Sequence, residues 1–223
     1  MQIGKSYIQF FKELSVHNHK DWFDLNRQRY EEEVKASFYL LVENVIQQLK
    51  EVNESFDQPV KNAVFRINKD VRFSKDKSPY KLHMAASVST THKKDWNNPD
   101  GIYFQLSAEG LMIGGGLYMP DKQAIQLIRQ AMKEQSSKFI NLIENPGFKK
   151  KIGEIHGEKN KLLPIEFKNA ALENPLIYNK QFYFWKEYWG EKYVTMKNLD
   201  QFIVEHYLES LAFIKFLSNA LNT

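Results

Sequence analysis

Residues 102–119 read IYFQLSAEGLMIGGGLYM. Ile102, Phe104 and Leu106 alternate with Tyr103, Gln105 and Ser107, the period of a strand with one apolar face. Ala108 to Gly110 turn the chain, and Leu111 to Met119 return it, so 102–119 is a β-hairpin. A tight hairpin is antiparallel, and it sits between segments of helical period. The expected class is therefore α+β, with an antiparallel sheet of roughly residues 63–119 packed by N-terminal, middle and C-terminal helices.

Upstream, Leu82, Met84, Ala86 and Val88 alternate with His83, Ala85, Ser87 and Ser89, a second strand. Before it, Ala63, Phe65, Ile67, Val71 and Phe73 are apolar at odd positions. Arg66, Asn68, Asp70, Arg72 and Ser74 fall between them. A continuous strand would put those polar residues on one face, with Lys69 marking a bulge or a bend. Tyr7, Ile8, Phe11 and Leu14 predict a helix over 4–14. Asn18 is placed to cap a long helix over 19–52 with Asp21 in its first turn, and its length puts a break near Tyr30. Residues 53–62 are a loop, as is HKKDWNNPDG at 92–101.

Downstream, Pro120 opens helical structure over 121–144 in one or two pieces, and 148–155 is helical again. A polar connection covers 156–163, and 164–181 carries no clear period. FYFWKEYW at 182–189 reads as a strand ended by Gly190, with Tyr193 to Met196 extending or pairing with it. Asn198 and Gln201 start a largely buried helix running to Leu221. With no repeat or linker, 1–223 is expected to be a single α+β domain.

The chain has 223 residues, a net charge of +4 and no cysteine. The missing thiols remove disulfides, thiolate metal sites and cysteine nucleophiles. The start MQIGKSYIQFFKEL has no signal-peptide pattern, and no apolar run nears a membrane span of roughly 20 residues. A soluble, cytoplasmic protein is expected, with no membrane partner. The charge excess is mild, which argues against a dedicated nucleic-acid binder.

The densest polar chemistry is VFRINKDVRFSKDKSPYK at 64–81. Arg66, Lys69, Arg72, Lys75, Lys77 and Lys81 stand against only Asp70 and Asp76. Arginines clamp carboxylates or phosphates through paired bonds, and lysines add positive potential. Arg66, Arg72, Lys77, Tyr80 and Lys81 are the expected ligand-binding residues, with Asn26, Arg27 and Asp70 as supporting polar groups. His83 is the acid–base candidate.

The pattern FRxxxDxRFSxDKxPYK, here Phe65 to Lys81, resembles the bacterial and fungal family known as domain of unknown function 2461. NHKDWFDLNRQRY at 18–30, the hairpin GIYFQL with its GGG tract, and the proline and helix after it agree. The resemblance covers essentially the whole chain and implies one fold and one important motif, without a reaction. Two features depart from it. Lys69 stands where the family usually has arginine, and NKLLPIEFKN at 160–169 replaces a common proline-arginine-glycine stretch.

Three functional readings follow. The first is a basic pocket for a phosphorylated or carboxylated small molecule. The second is a nucleic-acid or protein interaction module. The third is a structural brace, in which Asp70 and Asp76 pair with the cations. The GGG tract lacks the lysine and hydroxyl of a P-loop, so it reads as a close backbone approach, with packing on a helix preferred. His17 and His19 have no acidic or histidine partners in sequence for a metal, and no cofactor motif is present. The KKK run at 149–151 reads as a solvated face.

Overall fold

The computed structural model describes residues 3–72, 74–92, 95 and 97–222. Phe73 of the expected first strand, and Lys93, Lys94 and Trp96 of the polar loop, lie outside the described residues. The N-terminal region is helical: α1 (Lys5–Val16), α2 (Lys20–Leu25), α3 (Arg27–Arg29), a π-helical turn at Tyr30–Lys35 and α4 (Ala36–Val52). A short α5 (Val60–Ala63) precedes β1 (His83–Ser89), β2 (Gly101–Ser107) and β3 (Gly110–Leu117). Then come α6 (Lys122–Glu134), α7 (Ser136–Ile143), α8 (Pro146–Lys151), β4 (Ile155–His156), α9 (Ala170–Glu173), β5 (Phe182–Trp189), α10 (Glu191–Val194) and α11 (Leu199–Leu221). The sheet has five strands in the order β1-β2-β3-β5-β4, and β4 runs antiparallel to β5. The class is α+β with an antiparallel sheet, as the hairpin implied.

The expected long helix is interrupted at Asn26, four residues before Tyr30, and then passes through the π turn at Tyr30–Lys35. Asn26 ends α2, its side-chain amide donating to the Trp22 carbonyl at 2.9 Å. Buried Tyr30, Val34 and Phe38 are spaced by four. On a regular helix that spacing drifts about 40° per step. A π turn advances less per residue and keeps the three on the core side. The cap of α2 differs from expectation: His19 Nδ1 accepts from the Trp22 N–H at 3.4 Å, and Asn18 is used elsewhere.

Residues 63–82 are a correction. Among the described residues they make no regular strand, and the first strand of the sheet starts at His83. Among the described residues, the segment forms two irregular arms with isolated bridges at Val64–Ala86 and Asn68–Tyr80. Between those bridges one arm advances four residues and the other six, so two residues have no partner and the ladder is interrupted. A second correction is at 191–194, which is the helix α10 rather than an extension of β5. Gly190, at φ 107°, turns the chain in a conformation open to glycine.

The residues form two compact units, Met1–His92 with Tyr103–Ile113 and Glu187–Val204, and Lys93–Ile102 with Gly114–Lys186 and Glu205–Thr223. In the first, Tyr7, Phe10, Phe11, Phe38 and Val45 are buried with Met84, Val88, Phe104 and Leu106. Tyr7 donates its hydroxyl to the Leu106 carbonyl at 2.8 Å, satisfying a polar group inside that core. In the second, Phe139 stands 4.9 Å from Phe216, and Phe148 is 6.0 Å from Phe213. Here the ambiguous stretch 164–181 wraps the buried guanidinium of Arg129. Arg129 donates to the carbonyls of Ile177, within a 3-10 turn at Pro175–Tyr178, at 2.9 Å, and of Asn179, just after it, at 3.0 Å. Along 149–151, Lys149 pairs with Glu144, and Lys151 with Glu205 at 2.6 Å.

The glycine tract faces the neighbouring strand β5, and at Gly116 also the Phe213 ring of α11. A Cβ at Gly116 would lie 2.5 Å from the Phe182 carbonyl oxygen of β5, and the residue has φ +91°. Both the contact and the dihedral exclude a side chain. Gly116→Ala is expected to lower stability by about 1–3 kcal/mol. Urea unfolding of the two proteins measures it, and an unchanged midpoint would show that β3 and β5 are less closely apposed.

Candidate functional site

The basic arms are built from the backbone outward. Lys69 donates its N–H to the Pro79 carbonyl at 2.8 Å, and Lys81 donates to that of Ile67 at 2.9 Å. Phe65 donates to the Ala85 carbonyl at 2.9 Å, which lays the first arm along β1. Ile67 is buried and anchors the arm. Asn18 holds the other arm to the helical layer. Its Oδ1 accepts from the Tyr80 N–H at 3.1 Å, and its Nδ2 donates to the Tyr80 carbonyl at 2.9 Å. The Tyr80 ring is buried and stacks on Phe23 with centroids 4.0 Å apart.

This geometry divides the expected ligand residues. Tyr80 is committed to the core as an anchor. Arg66, Arg72 and Lys77 are exposed, and Lys81 is half-buried. Arg72 makes paired bonds to Asp70, Nε to Oδ1 at 3.0 Å and Nη2 to Oδ2 at 2.8 Å. Those bonds, with the Arg72 backbone N–H, hold the Asp70 carboxyl down at about 2. Lys69 pairs with Asp76 at 2.5 Å, and Ser78 donates to Asp76 through both its N–H and its hydroxyl. Lys69 is the first cause that holds the Asp76 carboxyl well below the usual range. Lys77 donates to the Val71 carbonyl at 3.0 Å, and Lys81 to that of Arg66 at 3.0 Å. Among the described residues, the side chains of Arg66 and Lys75 make no hydrogen bond or ion pair.

The helical group comes near the motif through one member. Arg27 pairs with Asp24 at 2.5 Å, lies 5.5 Å from the Phe23 ring centroid, and feels the Tyr80 hydroxyl electrostatically. Asn26 instead serves its own helix, accepting from Arg29 at 2.9 Å while it holds Trp22. His17 stacks on Trp22, with centroids 6.1 Å apart. Among the described residues, no group of three or more His, Asp or Glu side chains is arranged to hold a metal.

His83 opens β1 two residues beyond Lys81. Burial, and secondarily the Lys81 charge, depress its imidazole to about 4, so it is neutral near pH 7. Sequence reasoning passed over Asn18, taken as a cap, and the aromatic neighbours of Lys81. The Lys81 ammonium lies 5.7 Å from the Phe65 centroid, and that ring is 6.2 Å from Tyr103. The alternation in β2 was the available signal, since it sets Tyr103 and Gln105 opposite the buried Ile102, Phe104 and Leu106.

Residues 6–216 match a protein family described as a conserved hypothetical protein, domain of unknown function 2461. The chain belongs to this family. No curated protein matches it. Membership thus supports one fold across nearly the whole chain and leaves the chemistry to be read from the site. No helix among the described residues is long and apolar enough to cross a membrane.

Two stability experiments separate anchors from exposed charges. Asn18→Ala removes both partners of the half-buried Tyr80 backbone and is expected to cost about 1–3 kcal/mol. Arg72→Met, at an exposed pair, is expected to leave the urea midpoint unchanged. Unfolding of Arg72→Met would instead show the pair to be a brace.

The pH dependence has a defined sign. Because the folded imidazole of His83 sits below its ordinary 6.5, the unfolded chain takes up the proton first as pH falls. Stability is therefore full above about 6.5 and declines toward 4, whereas Asp70 and Asp76 act only at lower pH. Replacing His83 by Gln should flatten the decline between those values. An unaltered profile would rule out His83 as its source.

Proposed function

We propose that the arms at 66–81 recognise an anion, a phosphorylated or carboxylated small molecule. The observation that carries this reading is the placement of charge. Six cations and two acids leave the arms at +4, equal to the net charge of the whole chain, so the rest of the protein sums to zero. The arms are held by Asn18, Ile67, Tyr80 and backbone bonds, with Lys77 and Lys81 adding bonds to the Val71 and Arg66 carbonyls, whereas the Arg66 and Lys75 side chains take no part in this. Arg66 and Lys75 present donors to solvent, Lys77 and Lys81 stand on the same arms, and Asp70 keeps Arg72 in a defined orientation.

An isolated exposed ion pair gains at most about 1 kcal/mol, so one lysine does not make a site. Several cations acting on one polyanion are required even for a millimolar Kd, about −4 kcal/mol. Charge that converges on one loop meets that need better than charge spread over the surface.

Thermal unfolding of the wild type and of the double variant Arg66→Gln, Lys75→Gln, with pyrophosphate and a panel of sugar phosphates and dicarboxylates, tests the reading. At 100 times its Kd a ligand adds roughly 2.7 kcal/mol, a clear rise in Tm. At least one anion should stabilise the wild type, and the double variant should lose the effect. Stabilisation that survives the substitutions, or none from any anion at about 10 mM, well above a millimolar Kd, would overturn it. Tighter binding to RNA or DNA, with a steep salt dependence, would reassign the arms to nucleic acid.

A further inference from the structure

In the second unit, the stretch 162–174 shows one face to the core and another to solvent. Pro164 opens a 3-10 turn at Ile165–Phe167, Lys168 and Asn169 keep helical backbone angles, and α9 follows, so 165–173 is one right-handed helical run. Phe167, Ala171 and Asn174 are buried, and the Lys133 ammonium of α6 lies 5.9 Å from the Phe167 centroid. Ile165 and Leu172, two turns apart on the other side of the run, are 78% and 83% exposed, and Leu162, just ahead of Pro164, is 83% exposed. Exposed aliphatic side chains scattered singly are ordinary, but three between 162 and 172 form a patch. Asn169, also exposed, stands in the same row between Ile165 and Leu172.

Charge borders this row in a fixed order. Lys161 stands five residues before Glu166, and Lys168 five before Glu173. Among the described residues, none of these four side chains makes an ion pair or a hydrogen bond. A partner surface of one sign would attract two of them and repel the other two. A second copy, related by a two-fold axis along the run, satisfies all four. The apolar rows then meet each other, and each lysine faces the glutamate five residues further on in its mate, as between parallel helices. An antiparallel mate would set lysine against lysine. Asn169 within the row fits the parallel register, where its amide meets that of its own copy. We propose that the chain forms a two-fold dimer through Leu162, Ile165 and Leu172, with Lys161 and Lys168 pairing with Glu166 and Glu173 of the partner subunit. This surface lies within one unit and does not draw on the anion reading.

Sedimentation velocity of the full chain at about 5 to 500 μM, in low salt, tests the dimer. The patch is smaller than the roughly 800 Å² per partner of a standard interface, so a Kd of about 100 μM is expected. Leu172→Glu, at an exposed position, should keep the wild-type Tm and sediment as a monomer throughout. Lys168→Glu and Glu173→Lys, each repeated by the two-fold, should separately weaken the dimer about tenfold. Combined in one chain they restore opposite charges across the interface and should recover most of that loss. A wild type that stays monomeric over the whole range would overturn the proposal. So would a dimer that persists in Leu172→Glu, or a combined charge swap that associates no better than the single changes.

Discussion

Asn18 pairs with both backbone polar groups of Tyr80, and the placement of the basic arms depends on that contact. One side-chain amide takes the place of a strand partner, satisfying an N–H and a carbonyl that have no sheet neighbour. The Tyr80–Phe23 stack adds apolar burial at the same point. Together they fix the returning arm against the helical layer. The charges of the turn at 70–78 also bond its own backbone, Lys77 donating to the Val71 carbonyl and Asp76 accepting from the Ser78 N–H.

The energetics of the charged groups follow from exposure. The Arg72–Asp70 and Lys69–Asp76 pairs are well formed but face water, where such pairs contribute little to stability. Their effect is geometric: they set side-chain directions and neutralise two of six cations. A buried network would have lost its charge to solvent and to ligands alike. An exposed one keeps its field, which screening by salt reduces with a Debye length of about 8 Å at physiological ionic strength.

Elements with a strong local period were legible in the residues. The hairpin, β1, β5, α1, α4, the paired α6 and α7, and α11 sit close to where apolar spacing put them. The break near Tyr30 followed from helix length, although the π turn that realises it did not. The arms at 63–82 depart from the expected strand because Phe65, Ile67 and Val71 alternate like a strand, while two extra residues between the bridges interrupt the ladder. The residues after Gly190 were likewise too few to show a helical period. Of the site, the charges of Arg66, Arg72, Lys77 and Lys81 were visible. The burial of Tyr80, the use of Asn26 within its own helix, and the neighbours of Lys81 were not.

The sequence by itself determined the α+β class, the family and the density of charge at 66–81, because period, composition and motif are local properties of the chain. Tertiary structure decided which of those charges are paired, which residues hold the arms, and which rings stand beside them. Those outcomes depend on contacts across long separations in the chain. Asn18 meets Tyr80 over 62 residues and Arg129 meets Asn179 over 50, and no local pattern encodes such pairings.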